Sequence, residues 1–156
     1  MYPNRLNNFQ QSPMVINILL VEDNDDDIVL IKDAFAEAKF LALLNGVSDG
    51  EEALAYLRCE PPYQDAIQPG LILLDINMPK MNGFEVLEVL KTDPRLKSIP
   101  VVMLTTSKRE EDVVRSYAKG AVSYISKPVD FTHFVKIVRE FELYWTLVSH
   151  VPVQPN

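Results

Sequence analysis

Four stretches of the chain run from apolar residues straight into a side chain that can do chemistry. VINILLV (15–21) leads into Glu22 and Asp23, LILL (71–74) into Asp75, VVML (101–104) into Thr105, and AVSYIS (121–126) into Lys127. A carboxylate at the end of an oily segment is costly unless a positive charge or several donors compensate it. Three carboxylates at about 4 Å repel by on the order of 4 kcal/mol per pair at an effective dielectric near 20. A hard divalent cation offsets that repulsion, and Mg2+ typically takes one or two carboxylates, waters and a phosphate oxygen. Lys127 offers a second positive charge. A carboxylate in such company can attack phosphorus and form an acyl phosphate. The cation, the ammonium and the Thr105 hydroxyl would then stabilise the phosphoryl oxygens. Taken alone, Asp75 reads equally well as a strand-end cap accepting backbone N–H groups.

What must bring these residues together is a parallel sheet. The runs 15–21, 41–47, 71–75, 101–105 and 121–126 are short, apolar and rich in Val, Ile and Leu, as buried strands are. Between them lie helical patterns. Residues 24–40 place Ile28, Ile31, Phe35 and Ala38 on one face, with Asn24 or Asp25 able to cap the start. Further helices are expected over 48–58, 83–91, 109–120 (ended by Gly120) and about 130–149. Asp25, Asp26 and Asp27 read as a solvated helix start that suits the helix dipole. Strand and helix alternate five times, which predicts a parallel sheet with helices on both faces. In such sheets sites form beyond the carboxyl ends of the strands, where strand order reverses. All the polar residues named above fall at that rim.

The composition bounds the remaining possibilities. The chain has 156 residues, 47% hydrophobic and 24% charged, and suits one globular domain. A net charge of −7 repels phosphate backbones and argues against nucleic-acid binding. No apolar run approaches the ~20 residues that span a bilayer, so no membrane segment is expected. The single cysteine, Cys59, cannot pair internally and fits a reducing, cytoplasmic location. Residues 1–14, rich in Asn, Gln and Pro, read as a disordered tail, and 150–156 as a short C-terminal tail that leaves no room for an output domain. His133 and His150 have no metal-ligand spacing.

The motifs VEDN (21–24), LLDINMPKMNG (73–83), LTTS (104–107) and YISKP (124–128), in that order, resemble the receiver domains of two-component response regulators. The resemblance covers about residues 15–149. It implies a flavodoxin-like (βα)5 fold, with a five-stranded parallel sheet of order 2-1-3-4-5. It implies Asp75 as phosphoacceptor, Asp23 as a direct Mg2+ ligand, Glu22 acting mostly through water, and the Asn77 carbonyl as another ligand. Thr105 would be the switch hydroxyl and Tyr124 the switch aromatic. Lys127 would pair with the phosphoryl group, and Pro128 would follow a cis peptide bond. The partner implied is a sensor histidine kinase. The segment LTTSKREEDVVRSY with the ending FELYWTLVSHVP is further similar to regulators that partner phytochrome-type kinases, which implies a stand-alone homodimer.

The final helix agrees with a second contact. Phe134, Val138, Phe141, Trp145 and Val148 form one apolar stripe, and Ile137, Tyr144 and Leu147 a second row. Phe134, Phe141, Tyr144 and Trp145 are therefore candidate interface residues, unless the core face is simply wide. Other chemistries fit less well. A haloacid-dehalogenase-like phosphatase would want a second acid where Asn77 stands. A flavin module would find EDNDDD (22–27) repelling its phosphate, and no Gly-rich loop ending in Lys-Ser/Thr marks a nucleotide-binding P-loop.

Overall fold

The computed structural model describes residues 15–116 and 122–150, with side chains to residue 141. Five strands, β1 (Ile16–Val21), β2 (Ala42–Val47), β3 (Leu71–Asp75), β4 (Val101–Thr105) and β5 (Val122–Ser126), alternate with five helices. The helices are α1 (Asp25–Glu37), α2 (Gly50–Leu57), α3 (Gly83–Thr92), α4 (Lys108–Ser116) and α5 (Phe131–His150). The sheet is wholly parallel, with order β2-β1-β3-β4-β5. Strand order therefore reverses between β1 and β3, and those two central strands end at the acids.

Burial follows strand position. All five residues of β3 are buried, whereas the edge strands β2 and β5 alternate or stay half open. Alternate residues of each strand feed two cores. On one face Leu19, Val21, Ile72, Leu74 and Met103 meet α2, α3 and Val114 of α4. On the other, Ile18, Leu20, Leu73 and Leu104 meet Ile31, Ala34 and Phe35 of α1 and Phe134, Val135 and Val138 of α5.

Local chemistry sets the helix limits. Asn24 caps α1, its side chain accepting from the Asp27 N–H at 3.0 Å. The helix stops at Glu37, short of residue 40, because Lys39 turns into the left-handed region at φ 59°. The Lys39 and Phe40 N–H groups then close back on the carbonyls of Ala36 and Phe35, and Phe40 packs on Phe35 with ring centroids 5.9 Å apart. Cys59 ends α2 in the same way at φ 55°, with Glu60 N–H on the Ala55 carbonyl. The expected C-cap Gly120, residues 1–14 and residues 151–156 lie outside the described residues, while His150, expected in the tail, closes α5.

The last helix corrects one expectation. Phe134, taken as an interface candidate, lies inside the domain at 2% exposure, edge-on to Phe35 at 6.0 Å. Phe141 stacks on Phe40 at 5.9 Å. The wide stripe on α5 is used at least to that point by α1 and the turn that follows it, since one helix face must cover both the sheet and its neighbour. The side chains of Tyr144 and Trp145 lie outside the described residues.

Candidate functional site

Glu22, Asp75 and Lys127 converge at the carboxyl ends of β1, β3 and β5. The Lys127 ammonium lies 2.9 Å from Glu22 Oε1, 3.0 Å from Asp27 Oδ2 and 3.5 Å from Asp75 Oδ1. The side chains of Glu22 and Asp75 are 0% and 2% exposed, and that of Lys127 is 13% exposed. The Lys127–Pro128 peptide bond is cis, and the Lys127 N–H donates to the Thr105 carbonyl at 2.6 Å.

The backbone around Asp75 is held by close packing. The Gly83 N–H donates to the Ile76 carbonyl at 2.9 Å. A Cβ at residue 83 would meet the Asp75 carbonyl oxygen at 2.5 Å and Ile76 Cα at 2.8 Å. Only glycine lets the start of α3 approach the acid's own backbone this closely. Within the intervening turn Lys80 adopts φ 66°, and its ammonium reaches Asp49 at 3.5 Å.

Glu22, Asp23 and Asp75 each present a carboxylate oxygen, all within 4.8 Å of one another. Glu22 Oε2 accepts from the N–H groups of Asp23 and Asn24 at 3.2 Å. Glu22 Oε1 is buried without a well-directed hydrogen bond, with the Lys127 ammonium 2.9 Å away. Besides the Lys127 contact, Asp75 Oδ1 receives a long hydrogen bond from the Asn77 N–H at 3.4 Å. Oxygen donors with unused lone pairs, two buried and one (Asp23) exposed to the entrance, fit a hard divalent cation such as Mg2+. Burial, the neighbouring Glu22 charge and a bond with Glu22 push the Asp75 pKa up to about 7, against Lys127 and the Asn77 N–H, which lower it. Burial pulls Lys127 down, yet the carboxylates of Glu22, Asp27 and Asp75 hold its pKa above the usual lysine value.

Thr105 closes β4 beside the acids. It is fully buried, and its hydroxyl donates to the Ile125 carbonyl across a long 3.5 Å. Beyond it the β4–α4 turn is stitched by Glu110. That carboxylate accepts from the Thr106 N–H at 2.7 Å and the Thr106 hydroxyl at 3.1 Å, and its other oxygen accepts from Asn77 Nδ2 at 3.2 Å. Asn77 Nδ2 also donates to Thr106 Oγ1 at 3.1 Å. Tyr124 on β5 is half-buried. Its hydroxyl accepts from the Arg115 guanidinium at 2.7 Å, and the same group lies 5.3 Å from the ring centroid.

Sequence reasoning missed Asp27 and Glu110. Asp25 and Asp26 are indeed exposed, but Asp27 is partly buried against Lys127. A signal existed: the buried stripe of Ile31, Ala34 or Phe35, and Ala38, extended back by four residues, lands on Asp27. An acid heading an inward stripe beside other acids calls for a cation. Glu110 carried the weaker sign of standing three residues after Ser107, whose hydroxyl accepts from its N–H at 3.2 Å.

A doubly wound sheet with an acid pocket at its reversal point, closed by a lysine that precedes a cis proline, defines the class of phosphoryl-receiving signalling domains. Residues 18–139 match the response regulator receiver domain, and the chain belongs to that family. Response regulator Rcp1 of Synechocystis sp. is 40% identical over 135 residues, covering 86% of this chain and 92% of that one. The crystal structure of the phosphorylated cyanobacterial phytochrome response regulator RcpA is 44% identical with a TM-score of 0.75, over 90% of this chain and 100% of that one. The Mn(2+)-bound form of Rcp1 is 37% identical with a TM-score of 0.72, over 90% and 99% of the two chains. Among the described residues no helix is long and apolar enough to cross a membrane.

Proposed function

We propose that this receiver is a phosphorylation switch whose acceptor is Asp75. The observation that carries the reading is the Lys127 ammonium set 3.5 Å from a buried Asp75, beside a second buried acid that shares it. A carboxylate oxygen of Asp75 attacks phosphorus, and a P–N bond to a kinase phosphohistidine, or a P–O bond to a small acyl phosphate, breaks. The electron pair leaves with the imidazole or the departing carboxylate. Asp23, Asp75 and the Asn77 carbonyl would hold Mg2+, with Glu22 beyond it through water. That ion supplies charge neutralisation at the phosphoryl oxygens. Lys127 holds a further oxygen, and the weakly engaged Thr105 hydroxyl is free to turn toward another.

Thr105 is also the start of the output. Its movement would pull on the β4–α4 turn and change the place of Tyr124, altering the face built by α4, β5 and α5. We assign that face to homodimerisation or partner binding. The likeness to the cyanobacterial phytochrome response regulator RcpA supports a sensor histidine kinase of phytochrome type as phosphoryl donor. Work in the cytoplasm is consistent with one unpaired cysteine, Cys59.

Incubation with Mg2+ and a small acyl phosphate, followed by intact-mass measurement, should show one added phosphoryl group. Omission of Mg2+, or Asp75→Asn, should abolish it. A phosphoryl group that survives Asp75→Asn at undiminished yield would place the acceptor elsewhere.

A further inference from the structure

Asp27 is an acid beside the buried charges that neither the strand ends nor the receiver motifs account for. It belongs to the first turn of α1, and its own backbone is fixed there, because its N–H donates to the Asn24 cap at 3.0 Å. Its carboxylate meets the Lys127 ammonium at 3.0 Å, close to the 2.9 Å of the Glu22 contact. The third carboxylate, Asp75, stands further off at 3.5 Å, beyond a good charge-assisted bond.

We propose that Asp27 is a positioning residue for phosphoryl transfer: with Glu22 it anchors the Lys127 ammonium in two close ion pairs and keeps it beside Asp75. The inference deepens the switch reading given above. An ammonium carries three donors on a flexible four-carbon stem. With one tether it could swing about that contact. Two anchors on different elements, Glu22 at the end of β1 and Asp27 on α1, fix its place. The ammonium then waits where charge arrives, with little reorganisation during the reaction. When the Asp75 oxygen becomes part of the acyl phosphate, the ammonium pairs with a phosphoryl oxygen while the Glu22 and Asp27 ion pairs stay in place.

A plain surface ion pair would behave differently. Asp27 is 21% exposed, so water could solvate it, and such pairs contribute little to stability. The effect of Asp27 must therefore run through Lys127. Asp27→Asn keeps the shape and removes the charge. At saturating Mg2+ it should slow labelling by a small acyl phosphate about fivefold, the worth of one charge-assisted bond at the transition state. Half-saturation by Mg2+ should shift less than about twofold, since the tether acts on the lysine rather than the metal ligands. Asp27→Glu should recover most of the lost rate.

The discriminating arm repeats Asp27→Asn in a Lys127→Met background, where a tether has nothing to hold. The rate should then be unchanged by the second substitution. If Lys127→Met labels too slowly to time, nitrogen-15 spectra of the lysine ammonium groups give the same answer. Wild type should show a slowly exchanging Lys127 signal that Asp27→Asn loses. An Asp27→Asn protein labelled at the wild-type rate, an equal fold loss in both backgrounds, or an ammonium signal untouched by the substitution would overturn the proposal. Wild type that takes no phosphoryl group at all would instead sink the switch reading on which it rests.

Discussion

The rim of this domain has two halves made of different materials. The inner half, at the ends of β1, β3 and β5, consists of buried charges: Glu22, Asp75 and Lys127, with Asp27 at its margin. The outer half, around the β4–α4 turn and the outer side of β5, consists of exposed polar contacts. Glu110 gathers Thr106 and Asn77, Arg115 holds Tyr124 and Asp112, and Glu111 accepts from Ser126 at 2.7 Å. Buried charges cannot lose a partner cheaply. Exposed hydrogen bonds exchange with water at little cost. The inner half therefore suits the phosphoryl chemistry proposed above, and the outer half suits the proposed rearranging face.

The largest effect expected from this contrast follows removal of the single inner cation. Lys127→Met leaves the Glu22 and Asp75 carboxylates facing each other, and should destabilise the metal-free protein by about 3–5 kcal/mol at pH 8. Denaturant midpoints should recover when Mg2+ is added. A loss below about 1 kcal/mol would mean that the inner half is no more tightly coupled than the outer.

The next effect depends on pH, and its sign is fixed by Asp75. Its folded pKa near 7 stands above the unfolded value of 3.8, so the native state holds the proton more tightly. Stability of the metal-free protein should therefore fall as pH rises from about 4 to 7, and the loss is complete above that window. Asp75→Asn removes the titration. It should stabilise the metal-free protein by on the order of 3 kcal/mol at pH 8 and by little at pH 4.5. Equal gains at both pH values would contradict the buried-charge account. The outer half should give the smallest response. Arg115→Ala loses an exposed ion pair and a cation–π contact, and should cost less than about 1 kcal/mol in a denaturant melt. It should nonetheless perturb the Tyr124 ring resonances, where Asp27→Asn should not.

The same contrast explains what could be read from the sequence. The inner acids and Lys127 each close an apolar strand, and strand ends in a parallel sheet share one rim. Periodicity and alternation were enough to bring Glu22, Asp75, Thr105 and Lys127 together. Asp27 was passed over because a first-turn aspartate has an ordinary explanation in the helix dipole. Only the position of Lys127 over β1 gives it another partner. The outer half was nearly illegible. The contacts of Glu110 to Asn77 and of Arg115 to Tyr124 join residues 33 and 9 apart, through side chains with no periodic signature. Phe134 shows the opposite failure. Its apolar spacing was plain, but a helix stripe does not say whether sheet, neighbouring helix or second chain will cover it. Here Phe35 of α1 does.

The central claim is that the buried carboxylate of Asp75 is where phosphorus is received. Hydride reduction after treatment with Mg2+ and an acyl phosphate tests it most directly, because an aspartyl phosphate is reduced to an alcohol that survives digestion. Peptide mass mapping should find that change at residue 75 alone, and only when Mg2+ was present. Reduction mapped to Asp23, Asp27 or any other residue, or no reduced peptide from a folded protein, would contradict the account.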